Sequence, residues 1–291
     1  MEKVQGVKIL GINAGPREGN TAQMVKWALE AAAEMPNVQT EYLSMHNHKV
    51  NHCTACRLCY GDTKGLMPDT KHFCNYWSAK DPEDEGDLFI RAVMECDGLI
   101  IGSPTHEFDI SAECKALFGR ICKPFDEHVI TPFIARNRFK PLGACTTSFC
   151  SHGGGEHTVA SIHRFGLALG YLPVGAAMTT EPDHNPISSH FGGIGAVNCA
   201  LEWWAPDAIT PEKSRIKPPA IAVQAKRAAR CVGRNVATVA LIVKHGLDTL
   251  KKLEYPIPQV SFPKRWPKAQ IKKGSYMEYL VEQGKIIPVE E

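Results

Sequence analysis

The sequence predicts an α/β fold: a doubly wound, parallel five-stranded sheet with a cysteine-rich insertion and a C-terminal extension. Two observations predict it. Strand-like and helix-like segments alternate over the first 180 residues. Most of the strand-like segments are short continuous apolar runs, which are typical of parallel strands covered by helices on both faces. In such sheets ligands bind outside the carboxyl ends of the strands.

Each element follows from its local pattern. The run from Val7 to Ile12 is a short apolar stretch bounded by a glycine-containing loop, which predicts a buried strand. The next segment carries Trp27, Ala28 and Ala31 at helical spacing, which predicts an amphipathic helix. The same arguments predict strands over residues 7–12, 38–43, 98–102, 141–146 and 172–178. They predict helices over residues 20–35, 84–95, 111–126, 155–169 and 220–250.

These elements suggest how the chain is organised. We expect residues 1–180 to form the sheet domain, with the cysteine-rich insertion at 46–77. The regular pattern stops over 181–219, a segment too long for a plain connection, so we expect a lid or an oligomer contact there. Residues 220–291 are expected to form a long helix followed by a tail.

Composition excludes several classes of protein. The formal net charge is +2, with basic residues spread along the chain, so neither nucleic acid nor an anionic membrane is expected as a partner. The longest early apolar run is too short to cross a bilayer and no export signal precedes it, so we expect a cytoplasmic protein. The 11 cysteines are then more consistent with metal ligands, buried thiols or redox chemistry than with disulfides.

The loop between the first strand and the first helix is suited to a phosphate. Unpaired N–H groups and the positive end of the helix dipole favour an anion at a helix N-terminus. Gly15 and Gly19 allow a close backbone approach, Asn20 and Thr21 offer side-chain hydrogen bonds, and Arg17 offers a charged donor. The loop matches neither the Walker motif nor a full G-x-G-x-x-G fingerprint. A plain strand-to-helix turn is the alternative.

The cysteine-rich insertion contains a C-x₂-C-x₂-C motif. Cys53, Cys56 and Cys59 can supply three corners of a [4Fe–4S] cluster from one tight turn, and Cys74 is the next cysteine available for the fourth. Zinc held by four thiolates, or by thiolates and histidines, uses the same ligand types. Buried or free thiols without a metal are the third reading. No nucleophile–base arrangement is recognisable, so the catalytic residues stay unknown.

The phosphate loop, taken with two later loops, resembles the NADPH-dependent FMN reductase family of flavodoxin-like proteins. The family's Gly-Ser-Pro-x-Tyr motif corresponds to residues 102–106 here, and its Gly-Gly-x-Glu loop to residues 153–156. The likeness covers roughly the first 180 residues and departs at His106, where the family usually has Tyr, and at Gly119, where it usually has Asp. The resemblance implies a flavodoxin-like sheet that binds FMN, with the phosphate on Arg17, Gly19, Asn20 and Thr21. It implies that the isoalloxazine ring is lined by Ser103, Pro104, Thr105, His106, Thr147, Gly153, Gly154 and Gly155.

The iron–sulfur flavoprotein branch of this family carries a compact cysteine motif after the second strand, so the resemblance also implies a [4Fe–4S] cluster. Here residues 60–73 separate the fourth cysteine from the third. We expect an FMN-dependent oxidoreductase or electron-transfer protein, a homodimer or homotetramer. Its electrons would come from NAD(P)H as a transient donor or from a ferredoxin-like donor, and pass to a small acceptor such as a quinone, oxygen or an aromatic compound. The alternative is a non-catalytic thiolate–metal redox sensor on the same scaffold.

Overall fold

The computed structural model describes residues 6–56, 74–122, 139–148, 154–176, 192–196, 222–253, 265–271, 278, 281–282 and 287–290. Its strands are β1 (Val7–Asn13), β2 (Val38–Ser44), β3 (Gly98–His106), β4 (Asp109–Ile110), β5 (Pro141–Ser148), β6 (Leu172–Val174), β7 (Gly193–Ala196), β8 (Arg265–Pro267) and β9 (Ile287–Val289). Its α-helices are α1 (Asn20–Ala33), α2 (Asn75–Lys80), α3 (Gly86–Glu95), α4 (Ala112–Cys122), α5 (Gly155–Ala168) and α6 (Ala222–Lys252). Short 3-10 turns lie at Met45–Asn47 and Lys268–Gln270.

The central sheet runs in the order β2-β1-β3-β5-β6, and all of these neighbours are parallel. The register aligns Gly11 of β1 with Ile100 of β3, so the ends of both strands reach the same edge. The short strand β4 folds back on β3 as an antiparallel hairpin. The predicted doubly wound, flavodoxin-like α/β fold is confirmed.

The fifth position of the sheet differs from the prediction. β6 pairs with the start of β5 and ends at Val174, and β7 pairs with the second half of β5. The strand predicted over 172–178 thus begins as predicted but ends at Val174, and β7 lies within 181–219, where no strand was predicted. The strand β7 was not predicted because glycines, which are typical of turns, lie in and beside it. A Cβ at Gly192 would lie 2.8 Å from the Ala144 carbonyl oxygen, and one at Gly193 would lie 3.1 Å from the Cys145 sulfur. A side chain at either of these two positions would crowd its neighbours in β5.

Helices cover both faces of the sheet. On one face, buried side chains of α3, α4 and α5 pack with those of β3 and β5 around Phe89, Leu99 and Ile162. On the other, α1 and α6 pack together around Val25, Ile100 and Val232. Helix α6, expected as part of a C-terminal extension, thus belongs to the core of the sheet. None of the helices formed by the described residues is both long and apolar enough to cross a membrane.

Candidate functional site

The three predicted cofactor loops meet at the carboxyl edge of the sheet. The Ala14 amide after β1 donates to the carbonyl oxygen of Gly102 in β3 at 2.7 Å. The hydroxyls of Thr21 and Thr147 lie 2.5 Å apart and join the start of α1 to the end of β5. Gly15 faces Pro104 so closely that a Cβ on residue 15 would lie 2.9 Å from the proline ring. The loops after β1, β3 and β5 therefore form one surface.

The first loop leads into an uncapped helix. Gly19 is the N-cap of α1, and it has no side chain to bond the free N–H groups of the first turn, which also holds no acidic residue. The buried Asn13 side chain donates to the carbonyl oxygen of Arg17 at 2.9 Å, while its own Oδ1 has no hydrogen-bond partner within the described residues. Arg17 and Gly19 are exposed, Asn20 is half-buried and Thr21 is buried. An anion would satisfy these amides and meet no opposing carboxylate from the first turn.

The second loop continues β3 and is held from behind. The buried Ser103 hydroxyl accepts from the Ser111 amide at 2.9 Å and donates to the Pro104 carbonyl oxygen at 3.0 Å, so this hydroxyl shapes the loop. Thr105 bonds the hydroxyl of Thr146 at 3.0 Å. Pro104 and Thr105 are half-buried, and His106, where the family usually has Tyr, is exposed. The parts of this loop open to a ligand therefore begin at Pro104.

The third loop lies against the β3–β4 hairpin. Gly154 has a φ of +87°, and a Cβ there would lie 2.6 Å from the Phe108 Cα. The hairpin residues Glu107 and Phe108 also have positive φ, and 68% of the Phe108 side chain is exposed. Gly155 begins α5 and packs on Ile194 of β7. Gly153, the remaining predicted contact of this loop, lies outside the described residues.

The cysteine-rich segment begins beside the phosphate loop. Ser44 at the end of β2 accepts a hydrogen bond of 3.0 Å from Asn13 at the end of β1. Two residues later, His46 Nδ1 donates a hydrogen bond of 2.8 Å to the carbonyl oxygen of Pro16. The start of the cysteine-rich segment therefore contacts the phosphate loop at this edge of the sheet.

Three of the four predicted cluster ligands lie within the described residues. Cys53 is half-buried, Cys56 is exposed and Cys74 is half-buried at the N-cap of α2, whereas Cys59 lies outside that range. Ala55, with a φ of +53°, donates its amide to the Cys53 sulfur at 3.3 Å. Burial raises the pKa of the Cys74 thiol. No group of three or more Cys, His, Asp or Glu side chains is arranged to hold a metal among the described residues.

A buried ion cluster that sequence reasoning missed lies behind these cysteines. The Nη1 of Arg120 lies 2.8 Å from each oxygen of Asp84 and donates to the Asn51 carbonyl oxygen at 3.1 Å. The Asn51 amide donates to Asp84 at 2.8 Å. The Cys74 amide donates to Asp87 at 3.2 Å, and Asp87 lies 3.5 Å from Nη2 of Arg120. Asn51, two residues before Cys53, and Cys74 are thus both bonded to this ion cluster.

Helix α4 also makes room for the segment. A Cβ on Gly119 would lie 3.3 Å from the Cβ of Cys53. A residue as large as the family's usual Asp would press on Cys53 at this point. The helix that carries the buried Arg120 therefore contacts the first predicted ligand directly.

Four of the remaining described cysteines are core residues. Cys96, Cys114, Cys145 and Cys231 are buried. Burial raises the pKa of Cys145 to about 12 and raises the pKa of Cys114 as well. Because the thiolate is the reactive form, these thiols are inert at neutral pH.

Comparison with known proteins identifies the family. The model of the NADPH-dependent FMN reductase family matches residues 7–184, a range that includes all three loops and the cysteine segment. The chain belongs to this family. It is therefore an FMN-dependent oxidoreductase or electron-transfer flavoprotein, and the predicted resemblance to the iron–sulfur flavoprotein branch of the FMN reductases is confirmed.

Individual relatives agree with this assignment. An iron–sulfur flavoprotein of Methanocaldococcus jannaschii is 32% identical over 190 residues, which cover 65% of this chain and 82% of that protein. An iron–sulfur flavoprotein of Methanosarcina thermophila is 28% identical over 193 residues, with coverage of 65% and 82%. The crystal structure of RosB with a bound 8-demethyl-8-formylriboflavin-5'-phosphate intermediate is 15% identical, with a TM-score of 0.53. It covers 98% of this chain and 100% of its own, and it shows the shared fold.

Proposed function

We propose that this FMN reductase family member binds FMN in the three loops and a [4Fe–4S] cluster in the cysteine segment, and that it transfers electrons through both. The observation that supports the proposal is the contact between the two segments that would hold these groups. His46, at the start of the cysteine segment, bonds the carbonyl oxygen of Pro16 in the phosphate loop at 2.8 Å. The two redox groups would therefore be held on adjoining segments of the chain.

The phosphate loop supports the FMN half of the proposal. Gly19, Asn20 and Thr21 begin α1, whose free amides would bond the phosphate, while Arg17 adds a charged donor from the exposed part of the loop. Gly15 lies against Pro104, which joins the phosphate site to the ring site.

The second and third loops support a site for the flavin ring. Half-buried Pro104 and Thr105, exposed His106 and the glycine turn at Gly154 and Gly155 would line its face. Glycine lets the backbone approach a flat ring closely. The hydrogen bond between the short side chains of Thr105 and Thr146 would hold the second and third loops in place. Thr147 would complete the ring site, together with Gly153.

The cysteine segment supports the cluster half. The amide of Ala55 already points at the Cys53 sulfur, and N–H···S hydrogen bonds of this kind hold cluster thiolates and tune their potentials. Exposed Cys56 can turn toward a metal without unpacking a core. Cys59 and Cys74 would complete the ligand set, with Cys74 tied to the Arg120 ion cluster through its amide.

The two groups together determine the reaction that we propose. A bound flavin accepts a pair of electrons and a cluster carries one at a time, so the protein would exchange electrons between two-electron and one-electron reactants. The proposed donors are a reduced nicotinamide, which would stack on the open flavin face, or a ferredoxin-like protein. The proposed acceptor is a quinone, oxygen or an aromatic compound. We also propose a homodimer or homotetramer, which size-exclusion chromatography with light scattering would test.

Anaerobic purification tests the proposal most directly. We expect iron and acid-labile sulfide at about four of each per chain, the composition of a cubane cluster, with one equivalent of FMN. Cys56→Ala should remove the broad cluster absorption and most of the iron while the flavin bands persist. Cys122→Ala, a half-buried cysteine of α4 outside the motif, is the matched control and should keep both signals.

Two results would contradict the proposal. A colourless preparation that contains zinc would replace it with a thiolate–metal sensor. Cluster absorption that survives Cys56→Ala would exclude this cysteine motif as the ligand set.

A further inference from the structure

Arg120 is unusual because charged arginine side chains are rarely buried in folded proteins. Its side chain and that of Asp84 are each only 2% exposed. Burying an ion pair costs desolvation energy, which apolar residues of similar size would not incur, so stability alone is a weak reason for its presence. Gly86 leaves space for the guanidinium, because a Cβ there would lie 2.5 Å from Cζ. Gly86 thus leaves a space that holds a buried cation next to the cysteines.

We propose that Arg120 is a positioning residue for the cluster: its guanidinium, together with Asp84 and Asp87, joins the chain just before Cys53 to Cys74, and its charge favours the reduced cluster. The inference rests on the proposed function, since it presumes that a cluster is bound. It assigns to a residue outside the ligand set the geometry of that set.

The hydrogen bonds show how the two ends are joined. At the first end, Arg120 donates to the carbonyl oxygen of Asn51, two residues before Cys53, and Asp84 accepts from the Asn51 amide. At the second end, Asp87 accepts from the Cys74 amide and lies 3.5 Å from Nη2 of Arg120. Residues 52–73 lie between the two anchors, and closing a free loop of that length costs entropy. The ion cluster meets that cost before any metal binds.

A second link supports the same arrangement. The indole Nε1 of Trp77 in α2 donates to the carbonyl oxygen of His52 at 2.9 Å. The residue after one anchor is thus bonded to the helix that Cys74 begins. The two anchors and this link hold Asn51, two residues before Cys53, and Cys74 against the same buried ion cluster, although they lie far apart in sequence.

The charge has a separate consequence. A cluster becomes more negative on reduction, so a buried cation nearby stabilises the reduced form and raises the reduction potential. The Nε and Nη2 atoms of Arg120 are buried and make no hydrogen bond within the described residues. A role confined to folding would leave the potential unchanged, and this difference separates the two explanations.

Three variants and one control test the inference. Arg120→Gln removes the positive charge and part of the hydrogen-bonding capacity of the guanidinium group. Arg120→Lys keeps the charge but not the guanidinium geometry. Asp87→Asn removes the negative charge that accepts a hydrogen bond from the Cys74 amide. Arg230→Gln is the control: it breaks a 2.8 Å ion pair with Glu34 on the opposite face of the sheet. Each protein is purified anaerobically. Iron, sulfide and FMN are quantified, the rate of iron loss to a chelator is measured, and the midpoint potential is determined by a titration followed by electron paramagnetic resonance.

Removing the positive charge of Arg120 and removing the negative charge of Asp87 should shift the cluster potential in opposite directions. Arg120→Gln should lose iron about tenfold faster, as changes to residues that support metal ligands commonly do. It should shift the cluster potential to more negative values while FMN content stays near wild type. Asp87→Asn should also lose iron faster but shift the potential to more positive values. Arg120→Lys should restore the potential more fully than the iron retention, and Arg230→Gln should match wild type in both.

The outcomes that overturn the inference differ from those that overturn the proposed function. Wild-type protein without iron and sulfide refutes the function. Wild-type iron retention and potential in Arg120→Gln refute the inference and leave the cluster assignment intact. If Arg120→Gln does not fold, Asp87→Asn decides, because Asp87 is partly exposed and its replacement is isosteric. A negative shift or no shift in that variant refutes the charge effect.

Discussion

Gly154→Ala perturbs the contact between two walls of the proposed flavin site. Gly154 precedes α5 with a φ of +87°, a region that L-residues with side chains rarely adopt. Its added methyl would lie 2.6 Å from the Cα and 2.7 Å from the carbonyl oxygen of Phe108. Both are backbone atoms, so no side-chain rotation relieves the contact. Either the hairpin or the start of α5 must move.

The magnitude follows from these two effects. Placing alanine in the left-handed region costs about 1–2 kcal/mol, and forcing an extra methyl into a packed contact costs about 1–3 kcal/mol. We expect a loss of about 3 kcal/mol in the free energy of unfolding, which lowers the Tm of a domain of this size by roughly 6–12 °C. Because both displaced segments border the proposed ring site, FMN affinity should fall at least about tenfold, or 1.4 kcal/mol.

The assay is thermal unfolding of the FMN-free protein, followed by titration with FMN monitored by quenching of flavin fluorescence. Gly246→Ala is the matched control, because nothing lies within 4 Å of its added methyl and α6 continues through it. Alanine should stabilise that helix by about 0.5–1 kcal/mol and leave FMN affinity unchanged. An unchanged Tm and unchanged affinity in Gly154→Ala would refute the close approach of the third loop to the hairpin.

Two further predictions concern the core and the thiols. Gly233→Ala should destabilise the protein by about 2–3 kcal/mol, because its methyl would meet the backbone of Ala28 where α6 crosses α1; thermal unfolding beside Gly246→Ala measures this, and equal stability would place α6 outside the core. In cluster-free folded protein, iodoacetamide near neutral pH should modify exposed Cys56 and spare Cys145, whose pKa burial raises to about 12. Peptide mass spectrometry reads the result, and modified Cys145 would contradict the burial.

Much of the fold is predictable because its signals are local. Strand β1 and helices α3 and α5 lie within two residues of their predicted bounds, since each carries its own apolar pattern. β3 runs to His106 and exceeds its prediction, because residues 103 and 104 pair with Thr146 and Thr147 of β5. That pairing is not local, and the polar residues and proline in it are typical of a loop.

The same reason explains the errors at the fifth position and at the C-terminus. β7 has a glycine-rich sequence that resembles a turn, and only its partner β5 makes it a strand. Helix α6 was predicted with nearly correct bounds, yet nothing in its own sequence shows that it packs with α1 on the sheet. Position in the fold depends on close approaches, such as that of Gly233 to Ala28, which no sequence period reports.

The candidate cluster site shows where a departure from a family pattern becomes informative. The cysteine spacing is visible in the sequence, but the bonds that gather the segment join residues 69 and 36 positions apart, from Arg120 to Asn51 and to Asp84. Gly119 departs from the family's usual Asp, and in the structure the space it leaves is filled by Cys53. Glycine at position 119, next to the buried Arg120, therefore leaves the space that Cys53 occupies. The local motif predicts the ligands, and the absent side chains at Gly86 and Gly119 leave room for Arg120 and Cys53.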